Sequence, residues 1–126
     1  ARKIMVGFNV NLNTADLETA KKIAKALHGK KGGLTYIKAM AAEIPDKGMT
    51  QIGMSISDFD RTPLYRVLEL IKIEAKRYNV QVVESEFCGM VPLQAIIDAT
   101  KYYLKTDKLD ENRIIEIAVQ KALEKG

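Results

Sequence analysis

The 126 residues predict an α+β fold with a βαββαβ core. That core would form a four-stranded antiparallel sheet with two helices on one face, followed by two extra C-terminal helices. Three observations predict it. Two strand segments alternate strictly between apolar and polar residues. Apolar stripes at helical spacing separate the strands. A Pro45-Asp46-Lys47-Gly48 turn joins the two middle strands at hairpin distance.

Residues 3–12 read as the first strand, with Ile4, Val6, Phe8, Val10 and Leu12 on one side. Lys3, Met5, Gly7, Asn9 and Asn11 fall on the other. Asn13 or Thr14 is positioned to cap the next helix, with Asp16 and Glu18 in its first turn. Leu17, Ala20, Ile23, Ala24 and Leu27 form that helix's apolar stripe, and Gly29, Gly32 and Gly33 end it. A second strand spans about Leu34 to Ala42, with apolar residues on both faces. From Met49 to Phe59 the alternation returns, with Ile52, Met54 and Ile56 opposite Gln51, Gly53, Ser55 and Ser57.

Thr62-Pro63 reads as an N-cap followed by proline at the first helical position. Leu64, Val67, Leu68, Ile71, Ala75 and Tyr78 give the second helix its stripe. A fourth strand covers Val80 to Cys88, and Gly89 and Pro92 lead into a third helix that is apolar nearly all round. A last amphipathic helix, about Glu111 to Glu124, carries Ile114, Ile115, Ala118, Ala122 and Leu123 on one face. The order β-α-β-β-α-β is the split βαβ, or ferredoxin-like, arrangement. One domain is expected over residues 1–126, with the core at about 1–91 and the helical extension at about 92–126. Its second sheet face would then be bare and lined by amides, hydroxyls and glycines.

Composition narrows the function classes. Hydrophobic residues make up 47% and charged residues 29%, an ordinary globular balance. No apolar run approaches the roughly 18 residues that span a bilayer, so no membrane role is expected. The net charge of +4 is spread among acids, which argues against nucleic acid as a partner. RNA binding through the bare face would also need exposed aromatics there, and the Met49–Ser57 segment has none. The single cysteine, Cys88, excludes an internal disulfide and suits a cytoplasmic location. With one histidine, His28, no histidine-built metal site is available. The chain opens on a strand without an initiator methionine, as a segment following another domain would.

Several motifs, in order, carry a family resemblance. They are Ala1-Arg2-Lys3 with Phe8-Asn9-Val10-Asn11-Leu12, and Gly32-Gly33-Leu34 leading into Ile37-Lys38-Ala39. Gln51-Ile52 ahead of Asp58-Phe59 follows, and then Ser85-Glu86-Phe87-Cys88-Gly89-Met90-Val91-Pro92. Together they resemble the C-terminal subdomain of the formiminotransferase domain found in glutamate formiminotransferases and formiminotransferase–cyclodeaminases. Residues 98–126 match only in helical character.

The resemblance implies an enzyme of histidine degradation that moves a formimino group between N-formimino-glutamate and N5 of tetrahydrofolate. It implies two ferredoxin-like subdomains with folate, the co-substrate, in the groove between their sheets. The catalytic histidine belongs to the N-terminal subdomain, so no catalytic residue is expected here. The transfer passes through a tetrahedral centre and needs both reactants aligned. Asn9, Asn11 and Gln51 would suit a pterin edge, which carries donors and acceptors, and Ser55 lies on the same face. Lys38 and Lys3 would attract glutamate carboxylates. Glu86 would accept from the pterin or from a substrate ammonium group.

Other residues have plainer readings. His28 is expected to meet the last helical carbonyls, and Cys88 to be a small core or near-core residue. The Gly29–Gly33 loop follows a helix rather than opening one, so it does not cradle phosphate. The alternative to half an enzyme is a stand-alone small-ligand-binding or regulatory module that dimerises through its sheet. A homo-oligomer is compatible with either.

Overall fold

Period-two alternation in the first strand decides which side of the sheet is dry. In a computed structural model, residues 4–28 and 33–125 are described. The expectations placed on Ala1–Lys3, Gly29 and Gly32 lie outside them. The elements run β1 (Val6–Leu12), α1 (Leu17–Ala26), β2 (Ile37–Ile44), β3 (Met49–Ile56), α2 (Leu64–Arg77), β4 (Val82–Cys88), α3 (Leu93–Leu104) and α4 (Ile115–Lys125). The four strands form one sheet in the order β2-β3-β1-β4, antiparallel at every pairing, as the split βαβ reading requires.

Val6, Phe8, Val10 and Leu12 of β1 and Ile52, Met54 and Ile56 of β3 are all buried, on the side that α1 and α2 cover. Each such side chain removed from water stabilises the fold by about 1.5–3 kcal/mol. Ala20, Ile23, Ala24 and Leu27 dock from the first helix, and Leu64, Val67, Ile71 and Ala75 from the second. Ile37, with Ala39 and Ala41 packed against the core, settles the facing of β2, so Lys38, Met40 and Ala42 point to the bare side.

Boundaries differ from expectation where side chains found other partners. The first strand begins at Val6, and Ile4 is exposed. Asp16, not Asn13 or Thr14, caps α1, its carboxylate accepting from the Glu18 N–H at 3.0 Å. Asn13 is occupied elsewhere: its side chain accepts from the Gln81 N–H at 2.8 Å and ties β1 to the start of β4. Pro63 is the N-cap of α2, and Thr62 is buried with its hydroxyl donating to the Thr35 carbonyl. β2 starts at Ile37 because Leu34 makes only an isolated bridge with His28.

The turn between β2 and β3 is a 3-10 turn, Pro45–Lys47, closed by Gly48 at φ 63°, a left-handed conformation that favours glycine. Asn79 ends α2 in the same region, with the Val80 N–H returning to the Ala75 carbonyl at 2.9 Å.

The C-terminal extension is less embedded than its sequence suggests. In α3 only Ala95 and Ile97 are buried. It is held to α2 by Tyr65 stacked on Tyr102, centroids 4.3 Å apart, and by the Tyr103 hydroxyl donating to Glu69 at 2.8 Å. The last helix begins at Ile115, since Glu111–Arg113 is a 3-10 turn and Ile114 is extended. No residue of α4 is buried, so the expected face of Ile115, Ala118, Ala122 and Leu123 has no cover among the described residues. No helix among them is long and apolar enough to cross a membrane.

Candidate functional site

Directly opposed residues of antiparallel strands share a face, so the register assembles the bare side row by row. One row runs Ala42, Gln51, Asn11, Glu84. The next runs Met40, Gly53, Asn9, Glu86, and the third Lys38, Ser55, Gly7, Cys88. All six residues expected to bind ligand therefore lie on one uncovered surface. Lys38 sits at the β2 edge, Ser55 and Gln51 on β3, Asn9 and Asn11 on central β1, and Glu86 on β4.

The first row is a continuous hydrogen-bonded chain. Lys47, from the Pro45–Lys47 turn, reaches Glu84 Oε1 at 3.1 Å, and Asn11 Nδ2 donates to the same oxygen at 2.7 Å. Gln51 Nε2 donates to Asn11 Oδ1 at 2.9 Å. Asn11 is only 7% exposed although it lies on the open side, because Gln51 and Glu84 flank it. The Asn11 amide, and then the Lys47 ammonium, hold the Glu84 carboxyl below the usual glutamate range. In the second row Asn9 Nδ2 donates to Glu86 Oε1 at 3.2 Å and to Cys88 Sγ at 3.1 Å. Asn11, Ile44, Lys47, Gln51, Glu84 and Glu86 line a depression of about 380 Å³.

Charge is graded across the face. Lys38 stands on the β2 side, neutral amides in the middle, and Glu86 along β4 with Glu84, whose charge is paired with the Lys47 ammonium. A ligand with carboxylates at one end and N–H donors at the other would find both complements.

Two expectations are corrected here. Cys88 is exposed on the open face, not in the core, because it follows Glu84 and Glu86 at period two. His28 does not meet its helix's last carbonyls through its ring. Its backbone N–H does so, bonding the Lys25 carbonyl at 3.2 Å, while Nε2 lies 3.4 Å from the Ala39 carbonyl. The glycines do not leave gaps for a ligand. A Cβ on Gly7 would come within 2.9 Å of Cys88 Cβ, and one on Gly53 within 3.3 Å of Asn9 Oδ1. Neighbouring strands already fill those spaces.

Sequence reasoning missed Glu84 and Lys47. Alternation in β4 places Glu84 with Glu86 and so contained the signal for the first. Lys47 carries none, since only the fold brings its turn over β4.

A second concavity lies on the helix side, an apolar cleft of about 440 Å³ between α2, α3 and β4. Phe8, Leu64, Leu68, Phe87, Ile96 and Leu104 line it. Its polar groups are few, and one of them, the Tyr103 hydroxyl, is engaged by Glu69. The convergent polar groups are on the bare sheet.

Residues 7–124 match the family model described as formiminotransferase domain. The chain is 48% identical over 122 residues to a glutamate formimidoyltransferase of Thermoplasma acidophilum, covering 97% of this chain and 40% of that protein. It is 42% identical over 115 residues to the glutamate formimidoyltransferase of Streptococcus pyogenes, at 91% and 38% coverage. Over 124 residues it is 35% identical to the formimidoyltransferase-cyclodeaminase of Mus musculus, at 90% and 23% coverage. The chain thus spans 40% or less of the length of these relatives.

Proposed function

The chain belongs to the formiminotransferase domain family, and we propose that it is the C-terminal, ligand-facing half of a glutamate formiminotransferase. In this reading the bare sheet is one wall of a groove, and an N-terminal subdomain, in the same or a separate chain, supplies the other wall and the catalytic histidine. The ligands are tetrahydrofolate, as co-substrate, and N-formimino-glutamate, in cytoplasmic histidine degradation. When bound, the folate supplies the N5 nitrogen that exchanges the formimino group.

The uncovered, hydrogen-bonding sheet face carries this reading. The donor set fits a folate, whose pterin edge alternates donors and acceptors and whose glutamate tail is anionic. Lys38, beside Ser55, attracts carboxylates. Gln51, held by Asn11, offers an amide edge, and Glu86 accepts N–H groups from a ligand. These residues bind and orient, which converts an improbable bimolecular encounter into a positioned one. Closing the second wall over them excludes water and strengthens each polar contact.

Titrating the chain with tetrahydrofolate, alone and with the remainder of the Thermoplasma relative's polypeptide supplied in trans, tests the proposal. Tight binding only in the mixture is expected. Absence of binding in the mixture would overturn it. Met40, 77% exposed on the same face, favours a second reading in which two copies meet through their sheets. A ligand-independent dimer in sedimentation, lost in Met40→Lys, would favour that module.

A further inference from the structure

Asn9, at the centre of the bare face, has no N–H left to offer. A carboxylate only accepts, so the side of Asn9 that meets Glu86 must be its NH2 group. Both hydrogens are accounted for, one toward Glu86 Oε1 at 3.2 Å and one toward Cys88 Sγ at 3.1 Å. The carbonyl oxygen therefore points the other way. It leans over Gly53, where a Cβ would stand 3.3 Å from it. Glu86 keeps Oε2 without a hydrogen bond among the described residues. This row presents acceptors and no donors.

The neighbouring row is oriented from the same side, but its two amides each keep a second N–H. Glu84 Oε1 receives Lys47 and Asn11, so Asn11 must turn its oxygen to Gln51, which gives it Nε2–H. Gln51 Oε1 is left as an acceptor. The polarity of both rows is thus dictated by carboxylates on β4.

Resting on the reading that this face holds the ligands, we propose that Glu86, oriented by Asn9, determines specificity by taking the donor edge of an amidine-type N–C–N group. Two sources share that chemistry. One is the formamidine of formimino-glutamate. The other is the 2-amino-pyrimidinone of the folate, whose 2-amino group and N3–H flank one carbon. A group that puts an oxygen at the same place would meet the Glu86 carboxylate oxygen to oxygen, and such mismatches are rejected strongly.

The test uses the chain with the rest of the relative in trans, as wild type and as Glu86→Gln. Probes are tetrahydrofolate, formimino-glutamate, and a pteridine-2,4-dione that carries oxygen in place of the 2-amino group beside its 2-amino-4-oxo parent. Glu86 is exposed, and an unchanged melting temperature confirms that the variant folds. Weakening by about tenfold or more, as loss of a charge-assisted bond gives, is expected for one or both natural ligands, and identifies the source. The dione is expected to bind more weakly than its parent. Equal binding of dione and parent, with formimino-glutamate unaffected by Glu86→Gln, would overturn the assignment while leaving the ligand face intact. Failure of the wild type to bind either natural ligand would overturn both.

Discussion

Asn11 gives its amide N–H to Glu84 across the β1–β4 pair at 2.7 Å, on the open side of the sheet yet almost as dry as the core. The bond closes a chain that starts at Lys47 and ends at Gln51, so the polar face is a preset array rather than a scatter of solvated side chains. A rigid array orients a ligand at lower entropic cost than a mobile one.

Replacing the amide by a carboxylate tests that preset. Asn11→Asp would set two like charges at hydrogen-bond distance at neutral pH and leave Gln51 as before. Destabilisation is expected in urea unfolding. It should shrink as acid protonates one of the pair.

The Glu84 carboxyl titrates below its ordinary value, because Asn11 and Lys47 favour its charged form. A depressed value contributes stability above the unfolded-state pKa and loses it as pH falls through the folded one. Carboxyl NMR should place the Glu84 midpoint below that of an unpaired glutamate, and Lys47→Met should move it upward. An unmoved midpoint would remove Lys47 from the network.

The docking of α3 should fail at both ends of the pH scale. Tyr103 holds the Glu69 carboxyl low, so that contribution is lost as pH falls through the lowered value. Burial, then Glu69, pushes the Tyr103 phenol well above its usual value, and its contribution is lost as pH rises through that raised value. Protection of the α3 amides, with exchange corrected for its intrinsic pH dependence, should be greatest between those limits. Tyr103→Phe should return the Glu69 titration toward the ordinary range.

Thr50 is fully buried on the helix-covered side, and its hydroxyl has no partner among the described residues. Thr50→Val keeps the shape and removes an unsatisfied group. Stabilisation of about 1 kcal/mol is expected in thermal or urea unfolding. Ile52→Ala, by contrast, opens a cavity beneath the middle of β3 and should cost about 2–5 kcal/mol.

The sheet was legible because period two is strong wherever one face is dry. Val6 to Leu12 and Gln51 to Ile56 each announced both faces. β2 was ambiguous, since alanines at 39, 41 and 42 look alike from either side, and only pairing with β3 resolves them. The caps were misplaced because Asn13 and Thr62 found partners distant in sequence, at Gln81 and Thr35, which no local rule detects. Asn9, Asn11, Gln51 and Glu86 could be read as a set because they share alternation. Lys47 could not, because its approach to Glu84 spans 37 residues of sequence. Helical spacing foretold an apolar stripe on α4 but not its exposure, since periodicity shows a face and not what meets it.

Whether the bare face is the one that meets the ligand is decided by mapping side-chain amide and backbone NMR shifts on adding tetrahydrofolate with the complementary polypeptide. The amides of Asn9, Asn11 and Gln51 should move, with the backbone of Lys38, Ser55 and Glu86, while buried α1 and α2 positions stay fixed. Shifts confined to the cleft between α2 and α3, around Leu68, Ile96 and Tyr103, with the amide rows unchanged, would contradict it.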